Sequence, residues 1–157
     1  MGNNSTNYGK RELWALLSQA ANALSRAADN ELRPVGITMM QAAVLFFVKN
    51  AKAPATPAEI SRWLFREPHT VSQLLIRMEQ QGLIRKAKDL EKKNLVRVTL
   101  TEKGEEAFQH QTEMRVIGKI LSSLSPEECD KLGACLKKLR DEAVKELDAR
   151  PRRLPFP

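Results

Sequence analysis

Between residues 56 and 104 the chain switches from helical to strand periodicity and back, which few folds accommodate. Thr56, Pro57 and Glu59 supply the N-cap, first-turn proline and capping-box acid of a short helix reaching about Leu64. A second helix opens only three residues later, at Pro68, and runs to Gln81, with Gly82 placed to take a left-handed conformation at its end. Its apolar residues Val71, Leu74, Leu75 and Met78 recur at i, i+3, i+4 and i+7, so one stripe packs inward. Two helices on so tight a connector predict a helix-turn-helix. After Gly82 the period falls to two. Val96, Val98 and Leu100 alternate with Leu95, Arg97 and Thr99, which predicts a half-buried strand paired with Leu83 to Ala87. The polar stretch 88–94 between them is the hairpin tip, or wing.

The flanking segments are helical. From Lys10 to about Leu32, residues Leu13, Leu16, Leu17, Ala20, Leu24 and Ala27 mark an amphipathic helix that stops before Pro34. Thr38 and Gln41 form a capping box ahead of the apolar run Ala42 to Val48, the mark of a deeply buried helix. Thr101 caps a long helix that includes Phe108, Met114, Ile117, Ile120, Leu121 and Leu124. Ser125, Pro126 and Glu128 then open a last helix in which Leu132, Leu136, Leu139, Ala143 and Leu147 recur at near-heptad spacing. The fold class is mainly α, a winged helix-turn-helix with a small β-hairpin wing.

The net charge of +7 in 157 residues becomes informative once it is located. Residues 62–103 carry ten Lys/Arg against five Asp/Glu, whereas residues 104–149 carry seven against ten. The basic charge is therefore a patch over the helix-turn-helix and wing, with three more arginines in the tail from Arg150. Such a patch points to an acidic polymer. Catalysis finds no support: His69 and His110 lie on separate helices, and there is no Cys/His metal spacing, glycine-rich phosphate loop or Gly-x-Ser-x-Gly elbow. No catalytic residue, metal or cofactor is predicted. Cys129 and Cys135 read as reduced, buried packing thiols, and no apolar run approaches the roughly 20 residues that span a bilayer. A cytoplasmic protein without membrane contact is the expectation.

On the helix from Pro68, residues His69, Gln73, Ile76 and Gln80 point away from the inward stripe, with Thr70, Ser72 and Arg77 on its flanks. By itself such a face reads as solvated surface; between a helix-turn-helix connector and a basic hairpin it reads as a DNA-reading face. Gln pairs bidentately with adenine, Arg with guanine, and Ser and Thr with bases or phosphate. Ile76 fits a thymine methyl, with a single scattered exposed apolar residue of the kind ordinary surfaces carry as the competing reading. The hairpin adds Arg85, Lys86, Lys88, Lys92, Lys93 and Arg97, suited to phosphate contacts and counterion release. The candidate DNA-binding set is His69, Thr70, Ser72, Gln73, Ile76, Arg77, Arg85, Lys88, Lys92 and Lys93.

The string GLIRKAKDLEKKNLVRVTLTEKG, Gly82 to Gly104, resembles the wing signature of the MarR family of bacterial transcription regulators, and EPHTVSQLLIRMEQQGLI before it is similar to that family's recognition helix. The resemblance implies a homodimer on a pseudo-palindromic double-stranded DNA operator, acting as a repressor. It divides the chain into a disordered N-terminus (1–9), a dimerisation helix (10–33), a winged helix-turn-helix DNA-binding region (34–104), C-terminal dimerisation helices (105–149) and a basic, proline-rich tail (150–157). It further implies release from DNA when a small aromatic or phenolic effector enters the cleft between lobe and dimerisation region, where Trp14, Met39, Met40, Phe46 and Phe47 are candidate lining residues. The core is the competing place for each of them. Two features depart from the family pattern. Lys92 and Lys93 stand where an Asp and a minor-groove Arg are usual, and Gln73 and Ile76 stand where Arg and Asp are frequent. Lysine lacks the planar fork of arginine, so the tip favours phosphate attraction over groove reading. A winged-helix protein-interaction module that never touches DNA is the alternative reading.

Overall fold

A computed structural model describes residues 8–52, 55–88, 95–112 and 115–149. The chain divides into two units, one through Ile117 and one from Gly118. The wing tip, both ends of the chain and Met114 lie outside the described residues.

In the first unit, α1 (Lys10–Leu32) leads through a 3-10 turn at Arg33–Val35 and a left-handed Gly36 into α2 (Met39–Asn50). The expected Thr38/Gln41 capping box closes α2, and its first amide, Met39 N–H, donates to Asp29 Oδ1 of α1 at 2.5 Å. α3 (Pro57–Leu64) begins with the Thr56/Glu59 capping box, and α4 (Pro68–Gln80) follows across the short connector. β1 (Ile84–Lys88) and β2 (Val96–Leu100) then pair antiparallel, with Ile84 opposite Leu100 and Lys88 opposite Val96. α5 (Glu102–Thr112) starts where Thr101 Oγ1 accepts from Gly104 N–H at 3.1 Å, the expected cap.

The core gathers one face from each element: Leu32, Val44, Leu45, Ile60, Val71, Leu75, Met78, Ile84, Val98 and Phe108 are buried together. Each such aliphatic side chain contributes roughly 1.5 to 3 kcal/mol on burial, so the α4 stripe is fixed by packing. The hairpin is stitched on separately. Val98 N–H donates to the Ala55 carbonyl at 2.8 Å, joining β2 to the loop ahead of α3.

The long helix from Thr101 is described in two stretches, α5 and α6 (Arg115–Leu121), with residues 113–114 outside the described residues, and the Arg115 and Val116 amides donate to the Glu31 carboxylate of α1. Phe108 is buried as expected, but Ile120 and Leu121 are exposed. In the second unit, α7 (Pro126–Ala149) opens on the Ser125/Glu128 capping box, yet its near-heptad residues Leu132, Leu136, Leu139 and Leu147 are exposed. Cys129 and Cys135 are exposed as well, not buried, because no other described residue covers their side chains. The same holds for α1, where Leu13, Trp14, Leu16 and Leu17 are exposed and only Ala28 and Leu32 are buried.

Candidate nucleic-acid interface

The turn into α4 is locked before the helix begins. Ser61 Oγ donates to the Arg66 carbonyl at 2.6 Å, while Arg66 N–H donates back to the Ser61 carbonyl at 3.1 Å. Phe65 between them sits in the left-handed region at φ 52°, a conformation that a non-glycine residue adopts at some cost. Pro68 then presets the first turn of α4, whose N-cap, Glu67, makes no side-chain capping bond.

Packing decides which side of α4 faces outward. Val71, Leu75 and Met78 are all at least 99% buried, so the helix cannot rotate without exposing them. His69, Thr70, Ser72, Gln73, Ile76 and Arg77 are consequently all exposed, on the side where the periodicity puts them. Ile76, at 38% exposed, is an apolar member of an otherwise polar surface. Arg77 Nε donates to the Gln73 carbonyl at 3.3 Å, which lays the guanidinium along the same face as Gln73.

The helix ends by a hydrogen-bonded left-handed closure. Gly82, at φ 72°, donates to the Glu79 carbonyl at 2.9 Å and Leu83 N–H donates to the Met78 carbonyl at 2.9 Å. The chain therefore turns at once into β1, which sets the hairpin directly beside α4. Arg85 and Lys88 are exposed on β1, and Arg97 on β2 is half-buried. Lys92 and Lys93 lie outside the described residues.

Sequence reasoning missed three features here. First, Lys86 is tied back to α4: its Nζ lies 2.9 Å from Glu79 Oε2 and its backbone N–H donates to Glu79 Oε1 at 2.9 Å. The Lys86 ammonium, followed by its amide, holds the Glu79 carboxyl below the ordinary carboxylate value. Second, Gln41 of α2 donates to Gln81 just past α4 at 2.6 Å. Third, Trp63 of α3 stands between two phenylalanines of α2, with ring centroids 6.2 Å from Phe46 and 5.3 Å from Phe47. Seven-residue and forty-residue separations across turns carry no periodic signal, so the first two had none to find. The aromatic residues were visible, but their shared edge was not.

Of the residues considered for an effector cleft, Trp14 and Phe46 are exposed, while Met39, Met40 and Phe47 are half-buried. A depression of about 280 Å³ next to the aromatic trio is lined by Phe47, Ala51, Lys52, Glu59 and Arg62. Among the described residues no group of three or more His, Cys, Asp or Glu is placed to hold a metal ion, and no single helix is long and apolar enough to cross a membrane.

The pattern describing the MarR family matches residues 35–89. A Bacillus subtilis (strain 168) protein described as the uncharacterized HTH-type transcriptional regulator YwoH is 28% identical over 102 residues, 65% of this chain and 73% of that one. The organohalide sensing RdhR-CbdbA1625 transcriptional regulator in its ligand-free form is 31% identical, with a TM-score of 0.82 over 100% of this chain and 95% of its own. Its 2,4-dichlorophenol-bound form is similar at 29% identity, with a TM-score of 0.79 over 100% and 99% of the two chains. The fold alone is shared with an Escherichia coli MarR variant complexed with operator DNA, at a TM-score of 0.75, 24% identity and coverage of 81% and 92%.

Proposed function

The chain belongs to the MarR family of winged helix-turn-helix transcription regulators, and from that premise we propose that it binds a pseudo-palindromic operator as a homodimer and represses transcription there. The observation that carries this is the outer face of α4. It is polar apart from Ile76, held outward by the buried Val71, Leu75 and Met78 of its inner stripe, and flanked by a basic hairpin. In this reading Gln73 and Arg77 read base edges, His69, Thr70 and Ser72 contact bases or phosphate at the start of the helix, and Ile76 meets a thymine methyl. Arg85, Lys88, Lys92 and Lys93 anchor the backbone. Residues 34–104 form the DNA-binding region and residues 10–33 and 105–149 the dimerisation region, whose exposed leucines support burial against a second copy. The protein works without catalysis, in the cytoplasm where bacterial DNA lies.

The effector we propose is a small aromatic or phenolic molecule. Support comes from the relative described as organohalide sensing, and from Phe47, which packs on Trp63 and lines a depression together with the Arg62 and Lys52 cations. Aromatic faces stack on the ring of such a ligand, and the cations offset a phenolate or carboxylate charge.

Sequencing duplex fragments selected by the purified protein, then titrating the best one against salt, tests the DNA reading. A steep linear fall of log affinity with log salt supports it, whereas absent or salt-insensitive binding would favour a protein-interaction module. A Trp14→Phe variant leaves Trp63 as the sole tryptophan, so 2,4-dichlorophenol binding at the trio should quench its fluorescence and release the duplex. Release without quenching would place the effector elsewhere.

A further inference from the structure

The C-terminal end of α4 is held by polar groups from two other helices, none of them on the reading face. Gln41, 5% exposed on α2, uses both ends of its side-chain amide. Its Oε1 accepts from Thr38 N–H at 2.9 Å, and its Nε2 donates to Gln81 Oε1 at 2.6 Å. Because a backbone N–H can only donate, the orientation of the Gln41 amide is forced, and Gln81 must present an acceptor to it. The Gln81 carbonyl in turn accepts from Lys103 Nζ of α5 at 2.9 Å, and the Gln81 N–H donates to Arg77 at 2.9 Å. Two residues before Gln41, Met39 N–H is held by Asp29 of α1. Hydrogen bonds thus tie α1 to the start of α2, and the start of α2 to the end of the recognition helix.

We infer that Gln81, through its bond to Gln41, is a positioning residue that sets the pitch of α4 against α1 and α2, and with it the half-site spacing that a dimer accepts. This rests on the DNA-binding reading above. At 1.5 Å of rise per residue, α4 is a rigid lever about 20 Å long. A few degrees of freedom at its Gln81 end therefore moves His69 and Thr70 by an ångström or more, on the order of a third of a base-pair step. Half-sites one turn apart must meet both recognition helices in register, so a pinned helix rejects a shifted half-site and a loose one tolerates it. The buried stripe of α4 restrains rotation about its axis; the Gln41–Gln81 bond restrains tilt.

Gln81 is exposed, so its substitution leaves the core intact. The test uses full-length protein and the duplex selected by it, remade with the spacer one base pair shorter or longer. Wild type should lose about tenfold in affinity for each shifted duplex, comparable to the cost of a mismatched base pair. Gln81→Met, whose thioether is only a weak acceptor for the Gln41 amide, should bind all three duplexes within about threefold of one another at an unchanged melting temperature. Gln81→Glu keeps an acceptor, so it should bind every duplex more weakly through its added charge yet retain the wild-type ratios. The inference is overturned if Gln81→Met keeps the wild-type ratios, if Gln81→Glu loses them to the same degree, or if wild type itself ignores spacing. Absence of any duplex binding by wild type would overturn the DNA reading, and the inference with it.

Discussion

Glu79 and Lys86 meet twice, once through the Lys86 backbone N–H and once through its ammonium, both at 2.9 Å. Lys86 lies opposite Val98 in the hairpin, and the N–H of Val98 likewise points out of the pair, to the Ala55 carbonyl. The two outward donors of this residue pair are thus used to attach the hairpin to α4 on one side and to the loop before α3 on the other. Lys86, counted in the sequence among the basic wing residues, is a structural tie.

The tie should weaken in acid. Glu79 titrates below the ordinary carboxylate value in the folded chain, chiefly because of the Lys86 ammonium. A depressed folded value gives a contribution that is complete above the unfolded carboxylate pKa and is lost as pH falls through the lowered folded value. The protection of the Lys86 amide, its exchange relative to an unstructured amide at the same pH, should therefore fall at acidic pH, and Glu79→Leu should reproduce that loss of protection at neutral pH with little change in global melting. Equal Lys86 protection in Glu79→Leu and wild type would show that the hairpin needs no such tie.

Reading and anchoring should separate by mutation. Alanine at Gln73 or Arg77 should relax preference at one base position by roughly 1 to 3 kcal/mol, while Lys88→Ala should weaken all sequences alike and reduce the salt slope by about one. Binding of a randomised duplex library at two salt concentrations checks both. If Lys88→Ala altered sequence preference at a normal salt slope, the division would be wrong.

Ile76 gives a sharper test. An exposed β-branched side chain gains nothing from water, but it gains contact from a methyl in the major groove. Replacing thymine by uracil across the selected duplex should cost wild type affinity at one position in each half-site, and Ile76→Ala should erase that difference. A uracil penalty that persists unchanged in Ile76→Ala would remove Ile76 from the interface.

Gly104 marks where α5 starts against the hairpin. A Cβ there would run into the Leu83 carbonyl, a backbone atom that cannot swing aside. Gly104→Ala should destabilise the fold by about 1 to 3 kcal/mol, as overpacking typically does. Chemical denaturation reads this directly, and an unchanged midpoint would mean that α5 can shift at no cost.

Short-range chemistry made much of this architecture legible. The capping boxes at Thr38, Thr56 and Ser125, the closing Gly82, and the switch to alternation at Val96 each act within about four residues, and each is found in the structure. The inward stripe of α4 also follows from its own spacing, and with it the outward face. Joints between elements were not legible. The Glu31 carboxylate that receives the start of α6 lies 84 residues from Arg115, and no local pattern announces it. Cys129 and Cys135 were misplaced because helical spacing says which residues share a side, not whether anything covers that side.

Leu136 and Leu139 of α7 are 41% and 56% exposed, so a charge at either meets water in the isolated chain and should leave its helix intact. In a homodimer held by residues 10–33 and 105–149, the same charge would be buried without a partner, a change that commonly costs several kcal/mol. Leu136→Glu and Leu139→Glu should therefore sediment as monomers and lose the protein-concentration dependence of melting that association imposes. Loss of one recognition helix per complex should also cost them operator affinity while leaving the weak, salt-sensitive binding of a single lobe. Variants that stay dimeric at wild-type concentrations would move the dimer interface away from α7.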